Sequence, residues 1–511
     1  MRYLACVIAV FTAAGAFAQL SESTTVEVVQ VPVYVTAHGS AVANLTRNNF
    51  RLFINGKPQA IDYFDVLDFA KLSADEARDP RQRRLYLLVF DLTFSSANSL
   101  QRAQKAAEKM IESSSEGDTF GVGTLTSFQG VNVIVPFSHD RVALVRAIRN
   151  LRPSRTPDPL RLALTPAERE GISGGIFRGG SADGVLVGAE ESAMGAFESH
   201  YLRDLIENTI GDLADLAARL APIEGIKHVV LLSAGFDPSL IHGIPRTPNY
   251  SEIGRNPLLR PEFSPVLLGA LIKMHRTFTS SSVFLDAIDI GGLRAMQRMS
   301  DNEALYAMTL DTGGEVMDGS NDLGRSMQRL SDLQHVAYVL SFNAHKSGRA
   351  YNKIVVKLVD APRGAHASYR QSYASELDPP DSGDPLRLAD IVNNDIPQTG
   401  VTTDAHVETT AGKATLDVNV AAGELLTQAL GMTLEGEALL YIFSGPNAVA
   451  FDRKQIAVEP RAIPALAAAP VRLRQTFDLP PGRYAAKVLI RFGMNGSLGF
   501  ARADFTVPAS P

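Results

Sequence analysis

The sequence predicts a multidomain protein in which a mixed α/β unit, built on a doubly wound and mostly parallel sheet, lies between two all-β segments. A chain of 511 residues is longer than one hydrophobic core usually holds. In the middle of the chain, apolar strand-like runs alternate with helical patterns, which is typical of parallel sheets covered by helices on both faces. Short alternating strands bounded by turn signals fill the two flanks.

Composition narrows the classes of function. The chain is 45% hydrophobic and 20% charged, as in ordinary globular proteins, and its formal net charge is only -6. Nucleic-acid binding requires a basic surface that this balance does not provide. We therefore expect no nucleic-acid partner.

The first 18 residues are typical of a cleavable signal peptide. Arg2 supplies the positive start, an apolar run covers 4–11, and Ala16-Phe17-Ala18 precedes the predicted cleavage site. Elsewhere the sequence has no apolar stretch of membrane-spanning length, so no span is expected in the mature chain. The single cysteine, Cys6, falls in the part removed, which leaves no disulfide and no thiolate ligand or nucleophile. We expect a periplasmic or extracellular protein.

Residues 24–70 are predicted to form a small β module. Strands are expected at 26–31 and 33–36, and a further strand at 49–54 ends at Asn55-Gly56, which is a strong hairpin signal. Residues 57–66 would form the returning strand.

Residues 84–345 are predicted to form the α/β unit. Strands are expected at 85–90, 119–125, 132–137, 227–233, 282–289, 314–317 and 336–342, and helices at 100–113, 141–151, 201–220, 265–277 and 323–333. Residues 119–125 and 132–137 are too close for a crossover, so they should pair antiparallel at one edge. Irregular insertions at 152–199 and 237–261 are expected near the ligand-binding edge of the sheet.

The remaining residues are predicted to be β-rich. A hairpin at 346–374, with strands at 351–359 and 366–373, would close the α/β region. The Pro- and Asp-rich stretch 375–388 would be a linker. Residues 389–511 would form a C-terminal β-sandwich, with strands expected at 414–420, 437–443, 471–477, 483–491 and 499–507.

Asp91-Leu92-Thr93-Phe94-Ser95 is the candidate functional motif. It follows the apolar strand 85–90, and open α/β sheets bind ligands beyond the carboxyl ends of their strands. Asp, Thr and Ser side chains offer only oxygen ligands, which suit Mg²⁺. The same residues also fit a simple strand-to-helix turn, because Ser95, Ser96, Asn98 and Ser99 are all good N-caps for the next helix.

A collinear set of short motifs covers 26–373, about two-thirds of the chain. Its members are Val33-Tyr34-Val35-Thr36, Leu45-Thr46-Arg47-Asn48-Asn49-Phe50, Asn55-Gly56-Lys57-Pro58, Phe90-Asp91-Leu92-Thr93, Gly117-Asp118-Thr119-Phe120, Phe137-Ser138-His139-Asp140, Leu231-Leu232-Ser233-Ala234-Gly235-Phe236, Leu285-Asp286-Ala287-Ile288-Asp289, Asp311-Thr312-Gly313-Gly314 and Ala337-Tyr338-Val339-Leu340. In this order the set resembles the bacterial secreted von Willebrand factor A-related (VWFA-related) proteins, first grouped as an acidobacterial family.

The resemblance implies a von Willebrand A-type domain with a metal-ion-dependent adhesion site. Asp91, Thr93 and Ser95 match its first loop. The ion would be Mg²⁺, with Mn²⁺ or Ca²⁺ as alternatives, and one coordination position would stay open for a carboxylate of the partner. No organic cofactor is implied.

The later acid of that site has no match. Ala234 stands where relatives often have Asp or Glu, and a lost carboxylate lowers cation affinity. Asp237 is the auxiliary candidate. The loop Thr is left open among four residues of the first insertion: Thr156, Thr165, Ser173 and Ser181.

Other motifs are weaker. Gly171-Ile172-Ser173-Gly174-Gly175 satisfies G-x-S-x-G, but a nucleophile elbow needs a strand before it and a helix after it, and a flexible insertion fits better. His228 lies beside a buried strand and is expected to be structural. Asp286 and Asp289 could support a site at the same sheet edge, although capping the turn at Gly291-Gly292 is the better account.

These observations favour a secreted, non-catalytic binding protein that recognises an acidic group on a protein or cell-envelope partner. A metal-free structural scaffold is the alternative, which Ala234 favours. A hydrolase is the third interpretation and would require Ser173, or the carboxylates of Asp91, Asp286 and Asp289, to act.

Overall fold

A computed structural model describes residues 27–73, 76, 79–115, 117–127, 129–152, 184–236, 241, 264–293, 302–344, 349–375, 383–421, 433–459, 461, 470–493 and 496–509. For 184–201 it describes the backbone only. The predicted signal peptide, most of the two insertions and the G-x-S-x-G motif lie outside these residues, as do Asp237 and the four candidates for the loop Thr.

Five strands precede the central sheet: β1 (Glu27–Ala37), β2 (Ser40–Ala41), β3 (Phe50–Ile54), β4 (Lys57–Gln59) and β5 (Tyr63–Asp68). The two strands expected at 26–31 and 33–36 form the single strand β1. Asn55 and Gly56 join β3 to β4 with φ angles of 51° and 79°, the positive values that a tight hairpin turn requires. The returning strand expected at 57–66 is split, because β4 pairs with β3 whereas β5 joins another sheet.

Six strands form the central sheet: β6 (Arg84–Asp91), β7 (Asp118–Thr126), β8 (Gly130–Ser138), β9 (Ile226–Ser233), β10 (Val283–Asp289) and β11 (Val316–Met317). Their order is β11-β10-β9-β6-β7-β8. All neighbours run parallel except β7 and β8, which pair antiparallel at the edge as expected. The chain order reverses between β6 and β9, so the carboxyl ends of these two strands flank the switch point of the sheet.

Helices cover both faces of this sheet: α1 (Ala97–Ser113), α2 (Arg141–Asn150), α3 (Gly184–Leu220), α4 (Pro265–Ser280), α5 (Asn302–Thr309) and α6 (Leu323–Leu333). Apolar residues of α1, α2 and α6 pack on one face, and those of α3, α4 and α5 pack on the other. α3 begins at Gly184 rather than near 201, so 184–199 is helical and not irregular as predicted. α5 was not predicted.

The central sheet and the helices on it form the central unit, 84–333. Four strands follow it: β12 (Val336–Ala344), β13 (Tyr351–Leu358), β14 (His366–Ser368) and β15 (Ser372–Ala374). The sequence placed β12 in the α/β sheet, but it lies between β1 and β5. β13 pairs with β3 and with β15. The second strand of the expected hairpin, 366–373, is split, because its first part, β14, pairs with β1 instead. Two sheets, β14-β1-β12-β5 and β15-β13-β3-β4, thus enclose one core that includes Val31, Phe50 and Tyr338. We call them the β unit; the central unit is inserted between its strands β5 and β12.

The C-terminal part contains α7 (Pro385–Asn394), β16 (Thr402–Thr410), β17 (Lys413–Ala421), β18 (Leu434–Ser444), β19 (Asn447–Val458), β20 (Val471–Asp478), β21 (Gly482–Phe492) and β22 (Leu498–Val507). The seven strands form sheets of order β16-β17-β20 and β19-β18-β21-β22, and both contribute to one apolar core. α7 begins within the stretch predicted as a linker, with Asp384 as N-cap and Pro385 in its first turn.

α7 also joins neighbouring parts of the molecule. The guanidinium of Arg83, just before β6, forms a buried bidentate ion pair with Asp390 of α7. On its other side, the ammonium of Lys487 in β21 donates to the carbonyl of Val392 at 2.8 Å. Among the helices described, none combines the length and the apolar character needed to cross a membrane.

Candidate functional site

The candidate motif lies at the carboxyl end of β6, on the loop that leads into α1. Asp91 is the last residue of β6, and Ser96 is the N-cap of α1, where its hydroxyl accepts the backbone N–H of Ser99. The capping role that the sequence left open among several residues therefore falls to Ser96. Thr93 and Ser95 are left for another role.

Asp91 is held by three hydrogen bonds. Its Oδ1 accepts the backbone N–H groups of Thr93 and Phe94 at 2.8 and 3.0 Å, and its Oδ2 accepts the hydroxyl of Ser233 at 2.5 Å. Ser233 Oγ in turn accepts the N–H of Gly235 at 3.0 Å. Since Ser233 ends β9, these bonds connect the two strands that flank the switch point.

The environment of Asp91 opposes its ionisation. The side chain is 1% exposed, and this burial raises the pKa of the carboxyl above its usual value. The hydroxyl of Ser233 and the two N–H donors lower the pKa and offset part of that effect. A cation next to the carboxylate would favour the charged form directly.

Thr93 and Ser95 carry the most informative feature of the site. Their hydroxyl oxygens are both buried, and neither has a hydrogen-bond partner among the residues described. Buried polar atoms nearly always have partners, because an unsatisfied one costs about 1–3 kcal/mol. Hard cations take hydroxyl and carboxylate oxygens as ligands, so two buried hydroxyls on the loop that begins at Asp91 fit such an ion.

The candidate cation site nevertheless has few negatively charged ligands. An ionised carboxylate offers about four lone-pair sites, and Asp91 has filled three of them with hydrogen bonds. Ala234, next to Ser233, contributes no carboxylate. Within the described part of the chain, no group of three or more His, Cys, Asp or Glu side chains is placed to hold a metal.

Asp289 and Asp286 both lie on β10, but their side chains project to opposite faces of the sheet. Asp289 lies in register with Ser233 at the end of β10, and its Oδ1 accepts the N–H of Gly291 at 2.8 Å, which is the turn-capping role expected. Asp286 is three residues earlier and therefore projects to the opposite face of the sheet. Of the three carboxylates in the hydrolase interpretation, Asp286 is thus separated from the edge at which Asp91 and Asp289 end their strands.

Asp286 belongs to a buried network. Its Oδ2 lies 2.7 Å from Nδ1 of His228, and Nε2 of the same imidazole lies 2.8 Å from the hydroxyl of Tyr34 in β1. His228 and Asp286 are fully buried and Tyr34 nearly so. The network connects the β unit to the central sheet, which agrees with the structural role expected for His228.

Comparisons with known proteins gave structural likeness only. No family model and no curated protein matches the chain. Among solved structures, the vWF domain of the type V pili tip protein Mfa5 from Porphyromonas gingivalis aligns with 13% identity over 48% of this chain and 94% of that one, at a TM-score of 0.27.

Two further structures show the same level of similarity. A von Willebrand factor type A protein from Catenulispora acidiphila aligns over 92% of this chain and 76% of its own length, with 10% identity and a TM-score of 0.24. Proximal thread matrix protein 1 from the mussel byssus, whose MIDAS motif is occupied by zinc, aligns over 55% and 50%, with 13% identity and a TM-score of 0.30. At such TM-scores the likeness carries no argument, so the case for the fold rests on strand order and helix placement.

Proposed function

We propose that this protein is an exported, non-catalytic binding protein whose central unit is a von Willebrand A-type domain. In this proposal a divalent cation, Mg²⁺ first and Mn²⁺ or Ca²⁺ as alternatives, mediates recognition of an acidic group on a protein or cell-envelope partner. The observation that carries the proposal is the pair of buried hydroxyls of Thr93 and Ser95, two and four residues after Asp91, which have no hydrogen-bond partner among the described residues.

The architecture supports this interpretation. Numbered within the central sheet, the strand order is that of a doubly wound sheet, and Asp91 ends the strand at its switch point, where such sheets bind ligands. The motifs that resemble VWFA-related proteins cover 26–373, which includes this unit and the β unit. The predicted signal peptide at 1–18 supports export to the periplasm or the medium.

The residues would share the work as follows. Asp91 would provide the charged oxygen, Thr93 and Ser95 the neutral ones, and the Ser233 hydroxyl would keep the Asp91 carboxylate in one orientation. A bound divalent cation would supply an open coordination position for a carboxylate. Because Asp91 is the one carboxylate of this set, the loaded site would keep a net positive charge, which favours an anionic partner.

Thermal unfolding of the mature chain tests the proposal. With the cation at about 100 times its dissociation constant, the central unit should gain roughly 2.7 kcal/mol over the same protein in chelator. Asp91→Ala should abolish that gain, whereas Asp204→Ala, which removes an exposed acid of α3, should keep it. Separate transitions of the other units must be resolved. Equal unfolding temperatures with each ion and with chelator would reject the proposal.

A metal-free structural scaffold is the second candidate. Ala234 and the three hydrogen bonds already accepted by Asp91 favour it. Ala234→Asp separates the two candidates, because an added carboxylate should tighten a working site but would create cation binding anew in a lost one. Cation binding seen in Ala234→Asp and absent from the wild type would support the loss of an ancestral site, and no binding in either would leave the first loop itself in doubt.

A further inference from the structure

A cavity of about 750 Å³, partly open to solvent, lies at the end of the central sheet opposite Asp91, at its junction with the β unit. One wall comes from the outer face of the β14-β1-β12-β5 sheet and includes Leu67 and Val339. The opposite wall is formed by the start of β9, including Ile226, and by residues 280–282, which lead into β10. A volume of this size is typical of small-molecule sites, which are often found between domains.

Two buried cations line this cavity. Lys227 is 5% exposed, and its ammonium donates to the carbonyls of Ile223 at 2.8 Å and Ala221 at 3.4 Å. Arg370 is 7% exposed, and its guanidinium donates to the carbonyls of Thr279 and Gln30, both at 2.7 Å. The ammonium of Lys227 makes no ion pair with any carboxylate of the described residues.

This arrangement is electrostatically costly. A buried charge is stable only when it is paired or thoroughly hydrogen-bonded, and here two like charges line one cavity. Burial first, then the charges of Arg370 and Arg83, lower the pKa of Lys227 to about 7, although Asp390 and Glu224 act in the opposite direction. An anion in the cavity would relieve both effects.

The acids around the cavity lie closer to solvent. Asp65, Glu76 and Glu224 are exposed, and Asp79 contacts Arg81 at 3.3 Å. Exposed charges are screened by salt, whereas the buried cations are screened much less. The acids should still disfavour ligands with several negative charges, and the apolar walls favour an organic one.

We propose that this cavity binds a small organic monocarboxylate, whose carboxylate lies between Lys227 and Arg370 and whose apolar body packs on Leu67 and Val339. This site is independent of the cation site at Asp91. It adds a second ligand to the protein, at the contact between the β unit and the central unit.

Binding of benzoate to the full mature chain, followed by calorimetry, tests this inference. At pH 6.5 we expect saturable one-to-one binding of benzoate. Titration with sodium chloride at equal ionic strength is the reference and should give no such binding heat. Lys227→Met should weaken binding at least tenfold. Lys273→Met, which removes an exposed lysine of α4, should leave it unchanged.

The wild type provides a check that needs no folded variant. If binding requires the protonated amine of Lys227, the affinity should fall by up to about tenfold per pH unit above pH 7. No benzoate binding at pH 6.5, an affinity that stays constant from pH 6 to 9, or equal binding by sodium sulfate would overturn the inference. Asp91→Ala should not alter this binding, which keeps its outcome separate from that of the cation site.

Discussion

At Asp91, three hydrogen bonds hold a carboxyl group in a place that favours its neutral form. Because its pKa is higher in the folded chain than in the unfolded one, the native state keeps this proton more tightly. Without a cation, the free energy of unfolding should therefore fall as the pH rises from about 3.9, the unfolded value, through the native pKa.

Asp91→Asn should remove this loss. An amide oxygen can still accept the N–H groups of Thr93 and Phe94, and no charge is buried. In chelator, urea unfolding from pH 4 to 7 should show the variant gaining stability over the wild type as the pH rises. The gain should vanish when cation is added to the wild type. If the free energy of unfolding depends on pH in the same way for the variant and the wild type, the pKa of Asp91 is not raised in the folded protein.

Gly314, two residues before β11, shows how closely the backbone approaches that of Leu285 in β10. A Cβ at this position would lie 1.9 Å from the carbonyl oxygen of Leu285. Gly314→Ala should therefore destabilise the protein by about 3 kcal/mol or more, measured by urea unfolding.

Gly211 is the matched control for Gly314, because it lies inside α3 and, apart from its own helix backbone, no atom of the described residues lies within 4 Å of an added Cβ. Gly211→Ala should stabilise the protein by about 0.5–1 kcal/mol, since alanine is the better helix former. Similar effects of the two substitutions would show that close approach is not the cause.

The position of the Asp91 loop could be predicted from the sequence, because an apolar run followed by Asp, Thr and Ser is a local pattern. The bond from Ser233 could not. It joins residues 142 positions apart, and only the adjacency of β6 and β9 brings them together. If β6 and β9 are taken as neighbours, the position of Ser233 at the end of β9 identifies it as a partner for Asp91.

Among the elements, α7 is attached to the start of β6 by a buried ion pair. Arg83 and Asp390 have side chains only 3% and 4% exposed, with Nη1 and Oδ1 2.9 Å apart. Asp390→Asn would leave the guanidinium buried without its counter-charge, at a cost of about 3–5 kcal/mol in thermal or urea unfolding.

An exposed pair gives the reference for this prediction. Arg474 and Asp417 are also in bidentate contact, but Arg474 is 68% exposed. Asp417→Asn should cost less than about 1 kcal/mol. If both substitutions cost the same, burial is not what makes the Arg83–Asp390 pair important.

Two elements, β12 and α7, could not be placed correctly from sequence patterns. β12 has the same continuous apolar pattern as the strands of the central sheet, and such a pattern indicates burial on both faces without naming the neighbouring strands. α7 had readable signals in Asp384 and Pro385, but the Pro- and Asp-rich stretch before them favoured a linker. Pairing and long-range packing decided both cases.

At the scale of the whole molecule, the β unit is discontinuous in sequence. β1 has β12 as one neighbour and β14 as another, and β3 pairs with β13, so both sheets require residues from either side of the central unit. A short strand pair without such partners is marginal in water.

The fragment 27–70 should therefore be unfolded by itself. We expect a narrow amide spectrum in NMR and a coil-like far-UV circular dichroism spectrum, whereas the mature chain shows neither. The contrary result, a dispersed spectrum from 27–70, would mean that the first strands form an autonomous module as the sequence suggested.

The insertion between β5 and β12 also has a mechanical consequence. Asp68 and Val336 are paired, so the chain enters and leaves the central unit through two strands only one strand spacing apart, about 5 Å. A force applied to a partner bound near Asp91 would be carried by both connecting strands, β5 and β12. β12 would then have to slide along β1, breaking several ladder bonds at once instead of opening them singly, so the attachment should resist tension better than a single connecting segment would.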